Sequence, residues 1–205
     1  MKAIEKTIGY KFLNLKNGKI KSEHGNKTWI IGKNYTCKGK IKPCSNGFHA
    51  SLLSIDALSY VKGDVFAIVE ASGLIKENDK FASSNMRILK AWKWTPNDSI
   101  ALAIYSAELV IKYFEDKYPD DKRPRKAIQA ARKYLKNPTL KNKNAADAAA
   151  HAAHAAAHAA HAAAYAAAHA AYAAALLKVK TQIHQWIFKH TKDMEVIGVS
   201  DDYKS

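Results

Sequence analysis

Short apolar runs separated by turn residues dominate the first 94 residues of the chain. Pairs such as Asn17-Gly18 and Asn46-Gly47 mark turns between β-prone segments. The predicted strands are residues 9–13, 28–31, 47–51, 65–70 and 86–92, and a short helix is predicted at 53–60. This mixture predicts a small α+β domain over residues 1–94.

Helical spacing replaces this pattern after Thr95. The segment Thr95-Pro96-Asn97-Asp98 has a capping hydroxyl, a proline in the first turn and an acid three residues after the cap. The spacing of apolar residues predicts one helix ending near Tyr118-Pro119 and a second ending at Asn137-Pro138. We therefore predict an all-α helical bundle over residues 95–194, followed by a loose tail over residues 195–205.

The run from Ala145 to Ala175 is almost entirely alanine and carries one stripe of larger side chains. From His151 to Leu176 these side chains follow steps of 3, 4, 3, 4, 4, 3 and 4 residues. The mean step of about 3.6 predicts an α-helix. A tetrahedral metal site needs three or four converging ligands, and one straight helix supplies at most two, so no functional metal is predicted.

The chain has a formal net charge of +15, with 33 Lys and Arg against 18 Asp and Glu. Most of the excess precedes Ala145. A charge of this size favours an acidic partner, either a protein or a nucleic acid. Because no arginine-rich or aromatic-interleaved nucleic-acid motif is present, an acidic protein is the first expectation and nucleic acid the alternative.

Other sequence features narrow the class of protein. We expect no secretory leader at Met1-Lys2-Ala3-Ile4, no membrane span and therefore a cytoplasmic protein. Cys37 and Cys44 fit reduced thiols near a loop rather than a zinc pattern. The chain contains no phosphate-binding loop, dinucleotide fingerprint or Ser–His–Asp motif, so no cofactor is predicted.

Residues 118–134 form a distinctive block with the sequence YPDDKRPRKAIQAARKY. The block resembles the D-x-R-P-R-x-A-I-x-A-A-R-x-W segment of a bacterial family of immunity proteins, in which alanine- and histidine-rich helices and a Trp-containing terminal helix follow. The resemblance extends over about residues 95–190, with Tyr134 where the family often has Trp. It implies that residues 95–194 form an immunity-protein-like domain that neutralises a toxin by binding.

Two groups of basic side chains in this region are the candidate partner-binding residues. They are Arg123, Arg125, Arg132, His151, His154, His158 and His161. The alternative for the arginines is a structural role, in which they pair with acids such as Asp120 or Glu115.

The first half contains a second set of resemblances. The segments CSNGFHA (44–50), DALSY (56–60) and FAIVE (66–70) are similar to a small uncharacterised domain found in phages and prophages. A tyrosine strand, a Gly-Phe-His strand and a following helix also resemble ADP-ribosyltransferase folds. That resemblance implies a small-ligand site at Tyr10, His49 and Glu70.

These observations favour a non-catalytic binding protein of phage or mobile-element origin. We expect it to antagonise a toxin or a host defence component by direct contact with an acidic protein. An ADP-ribosyltransferase-like enzyme and a sequence-independent nucleic-acid binder are the alternatives. The alanine tract is also expected to allow a homodimer.

Overall fold

The computed structural model describes residues 5–148 and 169–198, which form a mixed α+β fold with one large antiparallel sheet. The strands are β1 (Lys6–Lys16), β2 (Lys19–Lys21), β3 (Thr28–Trp29), β4 (Tyr35–Thr36), β5 (Phe48–Ser51), β6 (Val65–Glu77) and β7 (Lys80–Lys93). The helices in the described residues are α1 (Ser54–Tyr60), α2 (Pro96–Lys117), α3 (Arg123–Lys136), α4 (residues 140–148) and α5 (His169–His190). The α+β class predicted from the sequence is confirmed.

Four strands of the sheet pair in a closed ring. β1 pairs with β6, β6 with β7, β7 with β5, and β5 again with β1, all antiparallel. The pairing of β6 with β7 shifts register between Ile68 and Val69. Such an irregularity increases local strand twist, which helps a short sheet to close on itself.

The core of the sheet is built from alternate residues of these strands. Val65, Ala67, Val69 and Phe81 are completely buried and pack together. Gly9 on β1 gives the Phe81 ring its space, since a Cβ atom at Gly9 would lie 2.6 Å from Cζ of Phe81. The Phe81 ring can therefore occupy this part of the core only because residue 9 is a glycine.

The C-terminal residues pack on aromatic side chains of the sheet. The ring of Tyr10 lies 4.7 Å from that of His184 and 5.7 Å from that of Phe188, and Ile187 is fully buried. Beyond α5, residues 195–197 follow β7, where the amide of Ile197 donates to the carbonyl of Ala91 at 3.0 Å.

The chain divides into two compact units. The first contains residues up to Trp94 together with those from His184 onward, and the second runs from Thr95 to Ile183. The predicted domain boundaries lie after residues 94 and 194. Residues 184–194 were predicted to belong to the helical domain, but they group with the sheet, because the last turns of α5 bury Ile187 there.

The second unit contains the helices predicted from local signals. Thr95 and Asp98 form a reciprocal capping box at the start of α2, as predicted. Ile104 and Ile111 of α2 pack against Ile128 of α3. The predicted ends of these two helices, near Tyr118 and Asn137, are confirmed.

Part of the alanine tract, residues 149–168, lies outside the described residues, and nothing is described of the side chains of residues 169–175. The prediction that residues 145–175 are helical and allow a homodimer falls largely on this segment. Among the helices described, none combines the length and the apolar character that crossing a membrane requires.

Candidate functional site

Three aromatic side chains meet where β3, β4 and β5 come together. The ring of Trp29 contacts the rings of Tyr35 and Phe48 at centroid distances of 5.1 and 5.3 Å, both edge-to-face. Trp29 is only 3% exposed, and its indole N–H donates to the hydroxyl of Ser22 at 2.8 Å. Tyr35 and Phe48 stay partly exposed at the edge of the buried ring.

Lysine ammonium groups lie against these rings. The Nζ atom of Lys27 is 4.1 Å from the ring centre of Tyr35 and 5.8 Å from that of Phe48, while Nζ of Lys11 is 5.9 Å from that of Trp29. Cations over aromatic faces are attracted by the ring quadrupole. These five residues form what we call the aromatic–lysine cluster.

Lys11 is the most strongly perturbed member of the cluster. Burial lowers the pKa of its ammonium group to about 8, because taking the charged form out of water is unfavourable. Its Nζ donates to the backbone carbonyl of His49. Lys11 thus joins β1 to β5 below the aromatic rings.

A lysine-bearing loop connects Tyr35 on β4 to Phe48 on β5. We call residues 37–46 the lysine loop; its exposed cations are Lys38, Lys40 and Lys42. The side-chain amide of Asn46 holds the loop by donating to the carbonyls of Lys38 and Lys40 at 3.0 and 3.1 Å. The backbone conformation therefore presents these lysines from a fixed scaffold.

The stretch of sequence that contains the lysine loop carries charge of one sign. Residues 24–55 contain five lysines and no aspartate or glutamate. Within the described residues, the ammonium groups of Lys38, Lys40 and Lys42 form no ion pair. The loop and the adjoining aromatic–lysine cluster therefore make a basic surface with aromatic side chains at its edge.

His49 and Cys44 take part in holding the loop. The amide N–H of Cys44 donates to Nε2 of His49 at 2.9 Å, and the Cys44 sulfur lies 3.1 Å from Nζ of Lys80. Burial, followed by the positive charges of Lys11 and Lys80, lowers the pKa of His49. The neutral imidazole is thus favoured, and it acts as a hydrogen-bond acceptor for the loop backbone.

Tyr10, His49 and Glu70, the predicted small-ligand residues, each have separate partners. Tyr10 is buried under α5, and burial raises the pKa of its phenol. The Glu70 carboxylate pairs with Lys6 at 3.2 Å and Arg87 at 3.0 Å, and its hydrogen bond with Lys6 is the main cause of its lowered pKa. The contacts described for Tyr10, His49 and Glu70 are with different residues, so these contacts do not join the three side chains in one site.

The candidate arginines all pair with acids of the same unit. Arg125 pairs with Glu115 through bonds of 2.8 and 2.5 Å, as the structural alternative predicts. Arg132 pairs with Glu108 at 2.5 Å. Arg123 makes a bidentate pair with Asp121, and this hydrogen bonding lowers the pKa of Asp121 to about 2.

The four candidate histidines, His151, His154, His158 and His161, lie outside the described residues. In residues 5–148 and 169–198, no group of three or more His, Cys, Asp or Glu side chains is placed to hold a metal ion.

Sequence patterns did not predict that Asn46 holds the lysine loop. The Asn46-Gly47 pair predicted only a turn. The acid-free stretch over residues 24–55 was a signal that could have located the basic surface. The contacts between Trp29, Tyr35 and Phe48 had no comparable signal, because they depend on strand pairing.

Residues 8–97 match a family described as a domain of unknown function (DUF7666). This match extends from β1 to the first turn of α2, and it includes both the lysine loop and the aromatic–lysine cluster. Comparison with curated proteins found no match, and comparison with solved structures also found none. The strand region is thus similar to a family whose description assigns no activity.

Proposed function

We propose that the protein is a non-catalytic binding protein whose lysine loop and aromatic–lysine cluster contact an acidic protein partner. The observation that carries the proposal is the acid-free stretch over residues 24–55. In this stretch, the loop that carries Lys38, Lys40 and Lys42 connects the partly exposed Tyr35 to the partly exposed Phe48. Aromatic side chains are enriched in protein interfaces, and a matching charge speeds association and selects the partner.

The mechanism that fits this surface is steric blocking. Asn46 fixes the loop backbone, so little conformational entropy is lost when a partner binds. The similarity of residues 118–134 to bacterial immunity proteins supports a role in antagonising a toxin. Similarity of residues 44–70 to a phage domain supports an origin in a phage or mobile element, where the target could equally be a host defence component.

We also propose that residues 95–194 contribute an alanine-rich helical bundle to a cytoplasmic protein. The packing of α2 on α3 through Ile104, Ile111 and Ile128 supports a helical arrangement there. The ADP-ribosyltransferase-like alternative stays a prediction, and the separate partners of Tyr10, His49 and Glu70 give it no added support.

Affinity capture from host lysate with full-length protein tests the binding proposal. The variant Lys38→Gln/Lys40→Gln/Lys42→Gln removes three charges from the loop, and Lys19→Gln/Lys62→Gln/Lys76→Gln removes three exposed charges elsewhere in the same unit. The wild type and both variants serve as baits in parallel, the lysate is treated with nuclease, and the captured proteins are identified by mass spectrometry.

A nuclease-resistant protein that binds the wild type and the control, but not the loop variant, would support the proposal. If that protein is a toxin, co-expression with the wild type should restore growth of the producing cells, and the loop variant should not. Equal capture by both variants would contradict the assignment of the binding surface to the lysine loop.

A further inference from the structure

A row of lysines follows the exposed side of α3 in the second unit. Lys122, Lys126, Lys133 and Lys136 are spaced four, seven and three residues apart, with Gln129 between the second and the third. Steps of three and four residues bring side chains to one face of a helix. All five positions are exposed. This lysine row is about 20 Å long at 1.5 Å per residue.

Three acids near the row are already paired with arginines. Glu108, Glu115 and Asp121 bind the three arginines described above. Within the described residues, the row itself forms no ion pair, and the ammonium group of Lys122 donates to the carbonyl of Pro119. Arginine and lysine on α3 thus have different roles.

The surrounding sequence offers little other compensation. Residues 122–192 contain a single acid, Asp147, which pairs with Lys143 at 3.2 Å. The sequence from Lys122 onward therefore offers the lysine row little opposite charge, whereas Glu115 of α2 lies near Lys122.

The two ends of the row differ in their effect on the helix, because Lys122 and Lys126 lie at its start whereas Lys133 and Lys136 lie in the last turn, where cations are favourable. The first turn of α3 contains no acidic side chain, and Lys122 makes no side-chain capping bond, but the carboxylate of Asp121 accepts a hydrogen bond from the amide N–H of Arg123 at 3.0 Å. Cations near a helix N-terminus oppose the helix dipole, and like charges four residues apart repel each other. Lys122 and Lys126 thus bring two like charges together at the start of α3, a placement expected where a ligand supplies further negative charge.

We infer that the lysine row binds the phosphodiester backbone of nucleic acid without regard to base sequence. Lysine ammonium groups recognise phosphate as point charges. A row of about 20 Å matches the axial length of about six phosphates on one strand. The row contains no aromatic side chain for stacking on bases, so contact is to the backbone.

This inference is independent of the proposed function, because it concerns different residues in the other unit. Fluorescence anisotropy with full-length protein tests it, using a labelled duplex of about 20 base pairs and a labelled oligothymidine of about 20 nucleotides over a range of salt concentrations. The variant Lys122→Gln/Lys126→Gln/Lys133→Gln/Lys136→Gln removes the row. The matched control is Lys19→Gln/Lys62→Gln/Lys76→Gln/Lys189→Gln, which removes four exposed lysines of the first unit.

We expect the row variant to bind the duplex about 10–100-fold more weakly than the control, with a plot of log affinity against log salt whose slope is smaller by about 3–4. Comparison of the two labelled probes distinguishes single-stranded from duplex binding. The expected slope of log affinity against log salt is about −0.7 per phosphate contact for the oligothymidine and about −0.9 for the duplex. Glutamine and lysine have similar helix propensities, so far-UV circular dichroism should be unchanged. If the quadruple variant loses helix, the pairs Lys122→Gln/Lys126→Gln and Lys133→Gln/Lys136→Gln replace it, each with an expected change in slope of about 2.

Two results would overturn the inference. One is an affinity and salt slope that are the same in the row variant and the control. The other is binding of poly-glutamate as tight as that of the duplex and equally dependent on the row, which would assign the row to an acidic protein.

Discussion

The Nδ1 atom of His184 lies 2.9 Å from the hydroxyl oxygen of Ser54, and the two residues are 130 positions apart in the chain. The amide N–H of Ser54 also donates to this Nδ1, at 3.3 Å. Leu53, the N-cap residue of α1, makes no side-chain capping bond. His184 therefore supplies an acceptor that the first turn of α1 lacks, and the end of α5 completes the N-terminal unit.

Acid should destabilise this unit through His184 and His49. Burial lowers the pKa of both imidazoles below 6.5; Asp56 partly opposes this shift at His184, and Lys11 and Lys80 add to it at His49. The unfolded chain therefore binds protons at a higher pH than the folded chain. Their stabilising contribution is complete above about pH 6.5 and is lost as the pH falls from there through the lowered values. Thermal unfolding followed across this range should give a decreasing Tm.

The variant His184→Asn tests this pH dependence, because the asparagine oxygen can replace Nδ1 as an acceptor but does not titrate. We expect a lower Tm near neutral pH, since contact with Tyr10 is lost, and a smaller decrease toward acid. His24→Asn is the control, because His24 is exposed. A decrease in Tm that is as steep in His184→Asn as in the wild type would contradict the role of His184.

Asn46→Ala should loosen the lysine loop. The substitution removes two donated bonds to loop carbonyls and one accepted from Cys37. We expect the free energy of unfolding in urea to fall by about 1–2 kcal/mol. Asn46→Asp should cost more, because a carboxylate would face the carbonyls of Lys38 and Lys40. Asn34→Ala, at an exposed position nearby, should have little effect; an equal loss in that control would rule out a specific contribution of Asn46.

Local sequence signals predicted the helices, whereas the pairing of the strands depends mostly on residues that are far apart in the chain. The capping box at Thr95 and the break at Asn137-Pro138 bounded α2 and α3 correctly because these signals act within a few residues. Residues 71–77 and 80–85 were missed as strand, since Ser83, Ser84 and Asn85 are polar and their extended conformation comes from pairing within the β6–β7 hairpin.

Sequence spacing was equally limited for the candidate site. It named Glu115, with Asp120, as a possible acid partner for the arginines, and the structure pairs Glu115 with Arg125 across one interhelical turn. It could not give the contact of His184 with Ser54, which requires the chain to return to the sheet after 130 positions. Tertiary contacts of this kind leave no pattern in a single sequence.

Gly9→Ala should test the packing of the closed ring of strands. The added methyl group would lie 2.6 Å from Cζ of Phe81 and 3.2 Å from Cβ of Ala50. We expect a loss of about 1–3 kcal/mol in the free energy of unfolding, as in other overpacked cores. Adding Phe81→Leu should recover part of that loss, and Gly198→Ala, which meets no neighbouring atom, should be neutral. The absence of any recovery in the double variant would show that the strain lies elsewhere.

A charge exchange between Glu108 and Arg132 separates a structural role of this arginine from a role in binding. Arg132→Glu alone places two carboxylates together, and Glu108→Arg alone places two guanidinium groups together. We expect each single variant to lower the stability of the helical signal by about 0.5–1 kcal/mol, and the double variant Glu108→Arg/Arg132→Glu to return to within about 0.5 kcal/mol of the wild type. Urea unfolding followed by far-UV circular dichroism measures this cycle.

The exchanged protein also tests Arg132 as a partner-binding residue. It keeps the net charge and the whole lysine row but has no cation at position 132. Because the Arg132 guanidinium is already paired with a carboxylate 2.5 Å away, we expect partner capture and duplex affinity to remain within about twofold of the wild type. A partner lost from the exchanged protein, while the helical signal is retained, would instead place Arg132 in direct contact with that partner.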